Sequence, residues 1–85
     1  MERYFVYIIR SLKDNTLYIG FSTNIDRRVA EHNSGLSRYT SAKAPWVLFY
    51  VEELSSKRDA LKREKFLKTQ RNRDSYERLV LEQDQ

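Results

Sequence analysis

Two short runs constrain this chain most: Tyr4-Phe5-Val6-Tyr7-Ile8-Ile9 and Leu17-Tyr18-Ile19-Gly20-Phe21. Both are rich in aromatic and β-branched residues, which suit a pleated, half-buried surface, so both read as strands. Between them lies Asp14-Asn15, a turn signal, because these side chains bond their own backbone and tolerate left-handed φ. The two runs therefore form a hairpin. With Tyr7 set opposite Tyr18, residues Phe5, Tyr7 and Ile9 share a face with Gly20, Tyr18 and Thr16. Val6, Ile8, Leu17, Ile19 and Phe21 share the other face, which is core. Two facing tyrosines and a glycine on the first face describe, by themselves, an aromatic pair packed on a half-buried sheet.

The next stretch, residues 22–35, reads as a short helix. Thr23 with Asp26 resembles a capping box and Gly35 suits a helix end. Ile25, Val29 and Leu36 fall on one stripe at helical spacing. His32 lies in the middle of that stripe and Arg28 on its edge, so polar groups are aimed at the sheet rather than at water. A core histidine with a snorkelling arginine is the plain explanation. Residues 36–45 read as a polar, basic loop carrying Arg38, Tyr39 and Lys43. A third strand follows over Trp46-Val47-Leu48-Phe49-Tyr50-Val51, ending at Glu52-Glu53. It is apolar on both faces, as a strand covered on both sides would be.

Ser55-Ser56 then caps a second helix, with Asp59 three residues after Ser56. Its apolar stripe is Ala60, Leu61 and Leu67, and Glu64 sits between them. A carboxylate in a core stripe costs free energy unless it is paired, protonated or metal-bound. Phe66 projects from the opposite side and requires cover. The last segment, with Asp74 as a cap and Tyr76, Leu79 and Val80 on one face, is expected to supply it. The fold class is thus α+β: a three-stranded antiparallel sheet flanked by helices, in the order β-β-α-β-α-α.

Composition narrows the function classes. The chain has 85 residues, one small domain's worth, with no internal repeat or linker. It has no cysteine and one histidine, which removes disulfide and thiol chemistry and gives no basis for a structural zinc site. No apolar run approaches membrane-spanning length, and Met1-Glu2-Arg3 lacks the features of a signal peptide. A cytoplasmic protein of bacterial type, without a membrane partner or small-molecule cofactor, is expected. The formal net charge is +4. Lys57, Arg58, Lys62, Arg63, Lys65, Lys68, Arg71 and Arg73 crowd one segment, after which Asp74, Glu77, Glu82 and Asp84 turn the chain acidic. Such a run is usually a solvated helix face, and it is also the footprint of a nucleic-acid binder.

Each element places polar groups where apolar ones belong: Tyr7 and Tyr18, Arg28 and His32, and Glu64. Together they suit phosphoryl transfer. Arginine neutralises charge that builds on a phosphate, a carboxylate holds a well-hydrated divalent ion, and tyrosine or histidine moves a proton of the attacking water. The order Val6-Tyr7, Tyr18-Ile19-Gly20, Arg28 with His32 four residues on, and Arg63-Glu64-Lys65 resembles the GIY-YIG nuclease domain, over roughly residues 3–80. It is most similar to the small stand-alone members related to the N-terminal domain of an excision-repair incision subunit. Phe5 replaces the glycine of the family's first motif, and the late asparagine of some restriction enzymes has no clear match. The separate DNA-binding domain of repair and homing members is also missing from the sequence, which leaves sequence specificity open.

The resemblance implies a metal-dependent endonuclease acting on DNA, with branched or damaged structures among its expected substrates. It implies that Glu64 binds Mg2+ or Mn2+, that Arg28 stabilises the scissile phosphate, and that Tyr7 is the general base assisted by Tyr18 and His32. An unperturbed tyrosine titrates near 10, so that role requires a value lowered by the metal or by Arg28. One carboxylate fits a one-metal mechanism, with Glu52 and Glu53 as distant second choices. Arg38, Lys43, Lys62, Lys65 and Lys68 are the expected backbone contacts. A non-catalytic nucleic-acid-binding module of the same fold is the alternative, and an adaptor using the aromatic surface a third reading. Oligomeric state has no signature in the sequence, although cutting both strands requires two sites.

Overall fold

The structure, a computed structural model, describes residues 3–35, 38–70 and 73–83. Seven elements follow in order: β1 (Tyr4–Ser11), β2 (Leu17–Ser22), α1 (Ile25–Ser34), α2 (Arg38–Ser41), β3 (Trp46–Leu54), α3 (Lys57–Thr69) and α4 (Arg73–Gln83). The α+β class and the antiparallel three-stranded sheet are as expected. The short helix α2 is an addition, inside a stretch that reads as loop in the sequence. Its Thr40 is fully buried, so tertiary contacts override the polar composition there. The sheet order is β2-β1-β3, which makes β1 the central strand. Val6, Tyr7, Ile8 and Ile9 are accordingly at most 1% exposed.

The hairpin register differs from the expected one by two residues. Tyr7 stands opposite Gly20, and Tyr18 opposite Ile9. A shift of two keeps every side chain on its face, so the assignment of faces holds. The physical reason is space. A Cβ on Gly20 would lie 2.5 Å from the Tyr7 hydroxyl and 2.6 Å from its Cζ. The Tyr7 ring therefore lies across bare backbone, which a directly opposed tyrosine would not permit. The turn behaves as its residues dictate: Asn15 adopts a φ of 66° and the Asp14 carboxylate accepts from the Thr16 amide at 3.0 Å.

Strand β3 runs past its expected end, because Glu52 and Glu53 still pair with Val6 and Phe5. A register shift leaves Phe49 as one extra residue between Tyr50, opposite Ile8, and Leu48, opposite Ile9. The two faces of the sheet carry separate cores. On one, Val6, Ile8, Ile19 and Tyr50 pack with Ala60 and Leu67 of α3 and with Tyr76, Leu79 and Val80 of α4. On the other, Tyr7, Ile9 and Trp46 pack with Tyr18, Val51 and the α1 residues Ile25 and Val29.

Helix ends follow local chemistry with some corrections. Asn24 caps α1, accepting from the Arg27 amide at 3.1 Å, in place of the Thr23–Asp26 box. Gly35 ends α1 at a φ of 88°, in the left-handed region. Ser56 caps α3 as expected, accepting from the Asp59 amide. Asp74 lies within the first turn of α4 rather than before it. Leu61 is 44% exposed instead of core, and Phe66 stays 52% exposed, because α4 docks on the sheet side of α3. There the Tyr76 hydroxyl donates to the Leu67 carbonyl at 2.7 Å. Leu36, Arg71 and Asp84, to which the sequence also assigns roles, lie outside the described residues.

The fit of Tyr7 over Gly20 makes a clear prediction. Gly20→Ala forces a methyl group into a buried ring and should cost about 1–3 kcal/mol in urea unfolding. A loss below about 0.5 kcal/mol would show that the Tyr7 ring moves freely.

Candidate active site

The centre of the Tyr7 face is a buried polar chain. The Tyr7 hydroxyl lies 2.8 Å from His32 Nε2, and His32 Nδ1 lies 2.9 Å from Thr40 Oγ1. Tyr7 is 1% exposed, and His32 and Thr40 are 0% exposed. Central strand β1 supplies the tyrosine, α1 the histidine and α2 the threonine. Two further ties hold the frame. Asn33 brackets Trp46, accepting from its amide at 2.6 Å and donating to its carbonyl at 3.1 Å. The Trp46 indole donates to the Thr40 carbonyl at 2.7 Å. Among the described residues every buried side-chain nitrogen and oxygen has a partner.

Burial decides the protonation states. It lowers His32 below its ordinary value, and the Arg28 charge pushes the same way against a smaller opposing effect of Glu31. The imidazole is therefore neutral near pH 7, with one donor and one acceptor nitrogen. Burial also pushes Tyr7 up to about 12, outweighing the lowering effect of Arg28. Arg28 therefore does not by itself supply the lowered value that a base role requires, and without a bound ion or phosphate Tyr7 is a phenol. The Arg28 guanidinium, which can only donate, is near enough to the same oxygen to act against that rise. In the tautomer with the proton on Nδ1, the Tyr7 hydroxyl donates to His32 Nε2 and Nδ1–H donates to Thr40.

Arg28 is part-exposed and also pairs with Glu31 at 3.1 Å, so its guanidinium sits between the buried chain and the surface. Tyr18 closes the group from β2, with its ring 5.1 Å from His32 edge-on and 6.3 Å from Trp46. The structure thus brings Tyr7, Tyr18, Arg28 and His32 together. Glu64 comes from α3, which packs on the opposite face and against edge strand β2. It is near enough for its charge to raise the Tyr7 hydroxyl. Its side chain is 20% exposed and 3.4 Å from Lys68, so it is half-buried and paired rather than sealed in the core.

Among the described residues no three His, Cys, Asp or Glu side chains gather as metal ligands. Glu52 is occupied by Arg63 at 3.0 Å and by the Tyr50 hydroxyl at 2.5 Å, and Glu53 pairs with Arg3 at 3.8 Å. A single half-buried carboxylate fits a hard ion that keeps most of its waters and shares a phosphate oxygen. Of the expected backbone contacts, Arg38, Lys62 and Lys65 are exposed. Lys68 lies beside Glu64. Lys43 is committed to Asp14 at 2.6 Å, a contact that holds the Asp14 carboxyl well below the usual range and ties the hairpin turn to the segment before β3.

The whole constellation, from Tyr7 to Glu64, lies inside a match to the GIY-YIG catalytic domain covering residues 3–77. The chain belongs to the GIY-YIG catalytic domain family. It is 46% identical over 70 residues to a UPF0213 protein of Staphylococcus haemolyticus, covering 81% of this chain and 84% of that protein. It is 41% identical over 81 residues to a UPF0213 protein of Natronomonas pharaonis, covering 94% and 93% respectively. The solution NMR structure of a UPF0213 protein from Bacillus halodurans superposes with a TM-score of 0.56, at 34% identity, over 92% of this chain and 82% of that one. The chain is thus similar to small stand-alone GIY-YIG proteins. No described helix is long and apolar enough to cross a membrane.

Thr40 and Asn33 are the participants that sequence reasoning misses. Neither sits in a periodic pattern: Thr40 is one polar residue in a polar stretch, and Asn33 reads as part of a helix end. The neutral, buried state of His32 has a testable sign. Above about pH 6.5 neither the folded nor the unfolded chain protonates it. As pH falls below that value the unfolded chain binds a proton that the folded one resists, so stability declines until the folded value is passed. Between pH 7.5 and 5.5 the wild type should lose more stability than His32→Gln in denaturant midpoints. Equal slopes would show that His32 is charged or exposed.

Proposed function

We propose that this GIY-YIG protein is a metal-dependent endonuclease that hydrolyses phosphodiester bonds of DNA. The observation that carries the reading is the buried Tyr7–His32–Thr40 chain ending at Arg28. A packing role for Tyr7 needs no neutral imidazole behind its hydroxyl and no guanidinium beside it. Arg28 binds and neutralises the scissile phosphate. Water attacks phosphorus, the bond to one ester oxygen breaks, and that oxygen leaves as a hydroxyl of the new DNA end, taking a proton from solvent water. The water's proton passes to Tyr7 Oη while Tyr7's own proton passes to His32 Nε2. A phosphate against Arg28 cancels the charge that otherwise disfavours imidazolium, so substrate binding itself readies His32 to accept. Thr40 holds Nδ1–H and so keeps Nε2 free of its own proton. Glu64 is the residue that would hold Mg2+ or Mn2+, and such an ion, when bound, supplies further charge stabilisation at the phosphate. Tyr18 packs His32 in place.

The exposed cations of α3 also suit the second reading, a binding module without catalysis, and a plasmid-nicking assay separates the two. Supercoiled DNA should be nicked with magnesium and left intact without it. Glu64→Gln should abolish nicking and change stability without metal by less than about 1 kcal/mol, as for other part-exposed pairs. Magnesium should raise the melting temperature of the wild type more than that of Glu64→Gln. Arg28→Ala should keep the magnesium effect and lose about 10²–10³-fold in rate. Unfolding of Glu64→Gln would make Glu64 a structural ion-pair partner. Wild-type nicking by that variant would refute the metal assignment.

A further inference from the structure

Helix α3 has a face that the proposed chemistry does not use. The helix carries six cations, Lys57, Arg58, Lys62, Arg63, Lys65 and Lys68, against two acids, Asp59 and Glu64. Both acids are engaged: Asp59 accepts from Ser55 Oγ at 3.2 Å and Glu64 pairs with Lys68. Amid the exposed cations stands Phe66, 52% exposed. One exposed phenylalanine is ordinary. This one is backed by a cation and still half exposed. The Arg63 guanidinium lies 5.5 Å from its ring centroid. Arg63 is fixed by Glu52 at 3.0 Å, and Glu52 accepts from the Tyr50 hydroxyl at 2.5 Å. Tyr50 is 7% exposed and belongs to the core. The cation against the ring is therefore tied to the core through Glu52 and Tyr50. A surface already ordered before binding loses little entropy when something lies against it.

We propose that this face is a stacking site for an unpaired nucleotide of the DNA, with a base on Phe66 and flanking phosphates held by Lys62, Lys65 and Arg58. The inference rests on DNA being the substrate and adds that the substrate carries a single-stranded part. Lys62 lies one turn before Phe66 on the same face, and Arg58 one turn before that. Flat aromatic surface among cations is the chemistry that takes single-stranded nucleic acid: every base has a π-face and every link a phosphate. A fully paired duplex offers phosphates but no free base. Phe66 follows Glu64 by two residues, so the two project on nearly opposite sides of α3, with Lys65 between them. A helix is about 10 Å across, so the stacked base sits more than one nucleotide from the bond that is cut.

The test is fluorescence anisotropy without divalent ions, using a 20-nucleotide oligo-dT strand and a 20-base-pair duplex. Wild type should bind the single strand more tightly than the duplex. Phe66→Ala and Phe66→Leu should each weaken single-strand binding about ten-fold, as expected for one lost base–aromatic stack, and leave duplex binding within about two-fold. Phe66→Tyr should bind both as wild type does. The leucine variant keeps the apolar bulk, so its loss is not a folding defect. Unchanged single-strand binding in both variants, or an equal loss on both probes, overturns the stacking site while the nuclease reading stands on nicking. If wild type binds neither probe, DNA is not the partner and both readings fall.

Discussion

The hydrogen bond between the Tyr7 hydroxyl and His32 Nε2 is the contact around which the site is built. It joins the central strand to α1 between two residues that are at most 1% exposed. An unpaired hydroxyl or imidazole nitrogen there would cost about 1–3 kcal/mol, so the elements around it must be placed to satisfy it. Gly20 gives the ring room, Thr40 takes the other imidazole nitrogen, and the indole of Trp46 fixes the Thr40 backbone. Asn33, next to His32, ties the end of α1 to the start of β3. Small changes at any of these positions reach the same hydroxyl.

The two faces of the sheet divide the work. The Val6 face, with α3 and α4, is an ordinary apolar core and supplies most of the burial. The Tyr7 face buries less aliphatic surface and holds the Tyr7–His32–Thr40 polar chain. Glu64 connects the two. It is carried by the helix of the structural face, yet its charge is felt at Tyr7. Its pairing with Lys68 and its part exposure lower the desolvation penalty that a carboxylate inside a core stripe would otherwise carry.

Much of this was legible because it rests on periodicity and local chemistry. Alternation in the two runs assigns the strand residues of the hairpin to their correct faces, and Asn15, Gly35 and Ser56 each adopt the conformation or cap that their residue type favours. The register was misread by two because residue type says which face a side chain takes and not which partner it meets. Only the clash of a Cβ with the Tyr7 ring selects Gly20. Thr40 was invisible for a related reason: its role comes from a contact eight residues away in chain and specific to this packing. Helical spacing marks a stripe but not its width, so it places Leu61 in the core, and it does not say on which side of α3 the last helix docks, so it expects cover for Phe66. The direction of the Tyr7 shift in the metal-free protein is not legible in the sequence, because burial is a property of the folded sheet.

The most direct test of the account is the protonation state of His32, read by nitrogen NMR of the labelled imidazole in the metal-free protein at pH 7. The account predicts a neutral ring with the proton on Nδ1 and an unprotonated Nε2 accepting from Tyr7. A proton on Nε2, or a charged imidazolium at that pH, would contradict it.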